Sequence, residues 1–215
     1  MTAPDHIVYV VDDDPRVREA LTELLSSASF NAVAFGSVAE FLMQARPGLP
    51  GCLVLDVNMP DINGLDFQNQ LAATDHVPIV FITGHGDIPM SVRAIKAGAL
   101  DFLTKPFSDE ALLQVVAAAI EQDRKALQKR TDLAQLRARY ASLTRRERDV
   151  VPLVVAGLLN KQAAAQLGIS EITLQIHRSN VLRKMAAGSV AELVRLAARL
   201  DVAIPPVQRR GGIPR

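Results

Sequence analysis

The 215-residue chain has a single cysteine, Cys52, so no internal disulfide can staple it. Its N-terminus lacks a basic segment followed by an apolar stretch, which argues against a secretory signal. No apolar run approaches the roughly 18 residues that a membrane span requires, and no internal repeat is present. A hydrophobic content of 49% excludes global disorder and leaves room for two modest domains or one large one. The expectation is a cytoplasmic protein with no membrane partner.

A charge of one sign is also missing overall, since the net is only +1. That balance conceals two opposite halves. Residues 1–121 hold 16 acidic against 6 basic residues, a net of −10, and residues 122–215 hold 7 against 18, a net of +11. An acidic half suits cation binding, and a basic half suits a polyanion such as double-stranded DNA.

The first half alternates strand and helix patterns about five times, which predicts an α/β fold with one doubly wound, five-stranded parallel sheet. Asp14-Pro15 starts a helix with Val17, Leu21, Leu24 and Leu25 on one face. Asn31 to Phe35 reads as a strand, and Ser37-Val-Ala-Glu40 as a capping box. Further helices are expected from about Leu65 to Ala72, from about Pro89 to Gly98, and after Ser108, the last with Leu112, Val115, Val116 and Ile120 facing inward.

Four apolar runs in this half end on chemically useful residues. Ile7 to Val11 runs into Asp12-Asp13-Asp14; Leu53 to Leu55 runs into Asp56; Ile79 to Ile82 runs into Thr83; and Asp101 to Thr104 delivers Lys105-Pro106. In a parallel sheet the C-terminal strand ends are where ligands bind. Asp13 and Asp56 are expected as direct ligands of Mg²⁺ (or Mn²⁺), Asp12 through water, and Asn58 through its backbone carbonyl. Asp56 is the expected nucleophile and phosphorylation site, Lys105 a fixed cation for the phosphoryl oxygens, and the Thr83 hydroxyl a further donor. Helix capping accounts for Asp14 but not for three carboxylates.

On these residues, with Asp56-x-x-Met59-Pro60-x-x-x-Gly64, Thr83-Gly84 and Lys105-Pro106-Phe107, residues 7–121 resemble a bacterial response-regulator receiver domain. The stretch Thr83 to Met90 is similar to the FixJ subgroup. The resemblance implies a flavodoxin-like fold, phosphotransfer from a sensor histidine kinase, and a cis bond before Pro106. It also implies a switch in which Thr83 and Phe102 reorient, and homodimerisation on phosphorylation through the fourth helix, fifth strand and fifth helix, roughly Pro89 to Glu121.

From Asp123 to Ala141 the chain turns charged, without Gly or Pro. It reads as a helical linker in which loosely spaced Leu127, Leu133, Leu136 and Tyr140 either pair weakly with another copy or face solvent. The domains are therefore 1–122, a linker 123–141, an all-α domain 142–204, and a disordered tail 205–215.

In the all-α domain a short helix from Lys161 to Leu167, the turn Gly168-Ile-Ser170 and a longer helix from Glu171 follow the helix-turn-helix plan. An ordinary helical bundle fits the same pattern. Leu143-Thr-x-Arg-Glu-Arg, Asn160-Lys161, Leu167-Gly-Ile-Ser170, Thr173, His177-Arg178 and Lys184-Met185 resemble the LuxR/FixJ-type (NarL/FixJ) effector domain. Leu174-Gln175-Ile176 departs from it, since many members carry Val followed by a charged residue.

At about 100° per residue, Leu174, Val181 and Met185 face the core. Ile172, Gln175, Ile176, Ser179 and Arg183 face the other way, with Thr173, Asn180 and Lys184 flanking them where phosphates run. The isoleucines suit apolar contact with thymine methyls, and Gln175 suits adenine. The combined expectation is a two-component response regulator that pairs when phosphorylated, binds promoters, and has RNA polymerase as a further partner.

Such a protein is a phosphoacceptor rather than an enzyme, limited to Mg²⁺-dependent self-phosphorylation and slow self-dephosphorylation. One rival is a phosphatase of the haloacid dehalogenase class, which needs a second Asp where this chain has Asn58. The other is a receiver that only binds proteins.

Overall fold

The computed structural model describes residues 4–44, 48–59, 67, 77–84 and 88–203. The chain divides into two compact units, Met1–Gln128 and Lys129–Arg215.

The first unit holds five parallel strands, β1 (Ile7–Val11), β2 (Ala32–Phe35), β3 (Gly51–Asp56), β4 (Ile79–Thr83) and β5 (Asp101–Thr104), in the order β2-β1-β3-β4-β5. Every residue of β1, β3 and β4 is buried, while β2 and β5 are only partly covered. Full burial of central strands is expected where helices cover both faces of a parallel sheet.

The two-residue period of the strands sorts their side chains into two cores. Tyr9, Val11, Leu53, Leu55 and Phe81 join Phe41 and Phe67 on one face. Val8, Val10, Cys52, Val54, Val80 and Ile82 join Leu21, Leu25, Leu112 and Val116 on the other.

Helix starts follow the local signals. Asp14 caps the helix Pro15–Ser27 by accepting from the Arg16 amide at 2.8 Å. Ser37 caps Val38–Met43, and the helix Ile88–Lys96 is followed by Gly98 in the left-handed region. The helix expected from Leu65 to Ala72 lies outside the described residues except for Phe67, which is helical and buried. The tail 205–215 lies outside them too.

The expected linker is the continuation of one helix, Asp109–Ala141. Near its N-terminus Leu112, Val116, Ala119 and Ile120 fill the core of the first unit. Asp123 is buried there as well, and its Oδ2 accepts from the Gly51 amide at the start of β3, at 2.9 Å. Near its C-terminus Leu136 is buried in the core of the second unit, with Tyr140 packed against it. Those two side chains are thus committed inside their own domain and are not free to pair with another copy.

The second unit continues with the helices Arg145–Val155, Asn160–Leu167, Glu171–Met185 and Val190–Arg199. Thr144 and Glu147 form a reciprocal capping box. Gly168, with φ of 66°, ends Asn160–Leu167, and Ser170 caps the helix that follows.

Candidate functional site

Strand register gathers the catalytic candidates. Val11 pairs with Leu55, so Asp12 and Asp56 are the next residues on adjacent strands; Asp56 pairs with Ile82, and Thr83 with Thr104. Asp12, Asp13, Asp56, Thr83 and Lys105 therefore meet at the C-terminal edge of the sheet.

Lys105 is the hub. Its ammonium donates to Asp12 Oδ2 and Asp56 Oδ2, each at 2.9 Å, and its backbone amide donates to the Thr83 carbonyl at 2.7 Å. The Lys105–Pro106 peptide is cis. Backbone amides occupy the other carboxylate oxygens: Asp14 N–H donates to Asp12 Oδ1 and Asn58 N–H to Asp56 Oδ1, both at 2.9 Å. The Thr83 hydroxyl is buried and accepts from the Asn58 side-chain amide at 3.1 Å.

Ligand oxygens of Asp12, Asp13 and Asp56 lie within 4.8 Å of one another. Three carboxylates against one ammonium leave a local charge of −2, with Asp12 and Asp56 buried and Asp13 exposed. Burial pushes the Asp12 pKa up, outweighing the Lys105 hydrogen bond that pulls it down. For Lys105 burial pulls the pKa down, but the hydrogen bonds it donates to Asp12 and Asp56 prevail and raise it, so it stays an ammonium. Concentrated negative charge with one open, exposed carboxylate fits a divalent cation with oxygen ligands and retained water.

Two contributors were not foreseen. The Arg18 guanidinium donates to the carbonyls of Asp12 at 2.7 Å and Asp13 at 2.9 Å, pinning the loop that carries both carboxylates. Asn58, expected to matter through its carbonyl, also holds Thr83 with its side chain. Neither contact follows a helical or strand period; Arg18 on the first turns of the helix after the acidic loop was the available hint.

In the second unit, Leu174, Val181 and Met185 are fully buried, and Ile172, Gln175, Ile176, Ser179 and Arg183 are exposed, as the helical period predicts. Thr173 is half-buried, its hydroxyl 2.8 Å from that of Ser170. Asn180 accepts a long 3.4 Å bond from Arg183. Arg178 donates to Asn160 Oδ1 at 2.7 Å, tying the longer helix to the start of the shorter one.

Lys184, expected to flank the reading face beside the phosphates, places its ammonium 2.6 Å from Oε2 of the buried Glu147. A buried carboxylate beside it offers a partner that a solvent-facing phosphate position does not. For Glu147 burial raises the pKa, but the bonds from Lys184 and Thr144 outweigh it and the net shift is downward.

Comparison with known proteins gives the same division. Residues 8–117 match the family model described as response regulator receiver domain, and residues 141–197 match that of bacterial regulatory proteins, luxR family. The chain is 50% identical to nodulation protein W of Bradyrhizobium diazoefficiens, over 91% of this chain and 87% of that protein. It is 44% identical to the transcriptional regulatory protein FixJ of the same organism, over 93% of this chain and 97% of that one.

Among solved structures, that of the response regulator StyR has a TM-score of 0.84 at 47% identity, covering 91% of this chain and 99% of that one. Full-length FixJ from B. japonicum has a TM-score of 0.55 at 39% identity, covering 94% and 100%. The carboxylate edge of a parallel sheet in one unit, a helix-turn-helix arrangement in the other, and relatives that match both together make this chain a two-component response regulator, with a receiver domain and a luxR-family DNA-binding domain.

Proposed function

We propose that phosphorylation of Asp56 switches this regulator and that the Glu171–Met185 helix reads promoter DNA. The observation that carries the switch is the Lys105 ammonium, 2.9 Å from both Asp12 and Asp56 at the lip of the sheet. A fixed cation beside a buried carboxylate suits an aspartate that must receive a dianionic group.

The donor is a phosphohistidine of a sensor kinase. An Asp56 oxygen attacks phosphorus, the P–N bond breaks, and its electron pair returns to the imidazole, leaving an aspartyl phosphate. Asp12, Asp13, Asp56 and the Asn58 carbonyl are the groups that would hold Mg²⁺ or Mn²⁺. Bound there, the cation would supply charge neutralisation for the incoming phosphoryl group. Lys105 exchanges its carboxylate bonds for phosphoryl oxygens, and Thr83 leaves Asn58 to donate to the same group. Phe102, half-buried on the adjacent strand, reorients with it.

Exposed Val92 and Ile95 on the helix Ile88–Lys96 support pairing through the surface between Pro89 and Glu121. Paired receivers bring two helix-turn-helix domains to two half-sites, with RNA polymerase a further partner and the cytoplasm the place of action. No helix of the described residues is long and apolar enough to cross a membrane.

Acetyl phosphate with Mg²⁺ should label Asp56, and Asp56→Asn should abolish the label. Lys105→Ala should still accept some label without pairing. Undiminished labelling of Asp56→Asn at another residue would overturn the assignment. The phosphatase alternative lacks its second Asp, because Asn58 stands there and holds Thr83; steady release of phosphate from added esters would revive it.

A further inference from the structure

We infer that the DNA half-site is recognised in part through the 5-methyl groups of two thymines about two base steps apart, read by Ile172 and Ile176. This rests on the reading that the Glu171–Met185 helix enters the major groove.

Ile172 is 73% exposed and Ile176 is 56% exposed. Large apolar side chains held in water on a domain with a well-formed core call for a partner, and the +11 charge of residues 122–215 indicates a polyanion. The face they occupy carries little else that can read a base. Gln175 is exposed between them and has no hydrogen-bond partner among the described residues; Ser179 is the next exposed side chain. Both nearby cations are engaged internally, Arg178 on Asn160 and Lys184 on Glu147. Arg183 is the first exposed cation along the helix, two turns beyond Ile176.

Discrimination therefore falls on two branched alkyl groups and one amide. In the major groove the thymine methyl is the apolar feature that distinguishes a base pair, and the amide complements adenine. Residues four apart stack on one helix face, separated by about 6 Å along the axis. Stacked bases follow every 3.4 Å or so, so a helix lying along the groove meets two methyls roughly two steps apart. Gln175 then addresses the adenine of an intervening A·T pair.

The test begins with the full chain, treated with acetyl phosphate and Mg²⁺, retaining duplexes from a random pool. Each thymine of the retained sequence is then replaced singly by deoxyuridine, which removes the methyl and leaves the pairing edge intact. Two positions per half-site, about two steps apart, should each weaken binding about fourfold, the value of one buried methyl-sized group. Ile172→Ala should erase the penalty at one of them and Ile176→Ala at the other, while Ile176→Leu keeps it. Both isoleucines are exposed, so the fold should survive. Tolerance of uracil throughout a tightly bound duplex overturns the inference while leaving DNA binding intact, as does a penalty that persists in both alanine variants. Retention of no duplex would remove the underlying reading, and the inference with it.

Discussion

At Glu147 two segments of the DNA-binding unit are fastened by one carboxylate: the Thr144 amide at the start of its own helix donates to it at 2.8 Å, and the Lys184 ammonium lies 2.6 Å away at the far end of the Glu171–Met185 helix. Lys184→Ala would leave that buried carboxylate half-satisfied. The expected loss is about 2 kcal/mol of unfolding stability, measured by denaturant melts, with the salt slope of DNA binding unchanged; a flattened slope at full stability would return Lys184 to the phosphates. The pH dependence follows from the same contacts. Because folding lowers the Glu147 pKa, its contribution is complete above the ordinary glutamate value of about 4.3 and is lost as pH falls through the depressed folded value. A Glu147→Gln protein should melt with a shallower dependence on pH across that acidic window. At the other site, Arg18→Ala frees the carbonyls of Asp12 and Asp13. Slower labelling of Asp56 by acetyl phosphate is expected, with the sheet intact by circular dichroism.

Among elements, the strand ends and the recognition helix were the most legible in sequence, and for one reason: each carries its own period. Apolar runs that stop at Asp12, Asp56 and Thr83 announce buried strands and their lips. Spacing alone separated buried Leu174, Val181 and Met185 from exposed Ile172, Gln175 and Ile176. What sequence did not show were pairings fixed only by the tertiary fold. Glu147 and Lys184 are 37 residues apart, and Gly51 and Asp123 are 72 apart, so no local pattern links either pair. Asp123 consequently read as the start of a solvated linker, although its side chain is buried against β3. Lys184 read only as a phosphate contact, because nothing local in the sequence pairs it with Glu147. For the recognition helix, Gln175→Ala should cost roughly 1–3 kcal/mol at the preferred sequence and relax one base position. Selection from random duplexes would check this, and a preference unchanged by substitutions at both Gln175 and Ile176 would mean that another face reads the bases.

For the whole molecule, the useful quantity is the gain from presenting two readers at once. Joining two modest binding events raises the local concentration of the second, so avidity can exceed either affinity by about 10²–10⁴. Acetyl phosphate should therefore tighten binding to a two-half-site duplex far more than to a single half-site, and Asp56→Asn should respond to neither; equal gains on both duplexes would argue against pairing as the output step. The helix Asp109–Ala141 bears on how such regulators can be recombined. Its first turns serve one core through Leu112, Val116 and Ile120, and its last turns serve another through Leu136 and Tyr140. Residues 128–132, between these commitments, are exposed. A chimera spliced there would carry each core over whole. One spliced at 141/142 would leave Leu136 behind and weaken the transplanted reader by the roughly 2–5 kcal/mol typical of a deleted core leucine.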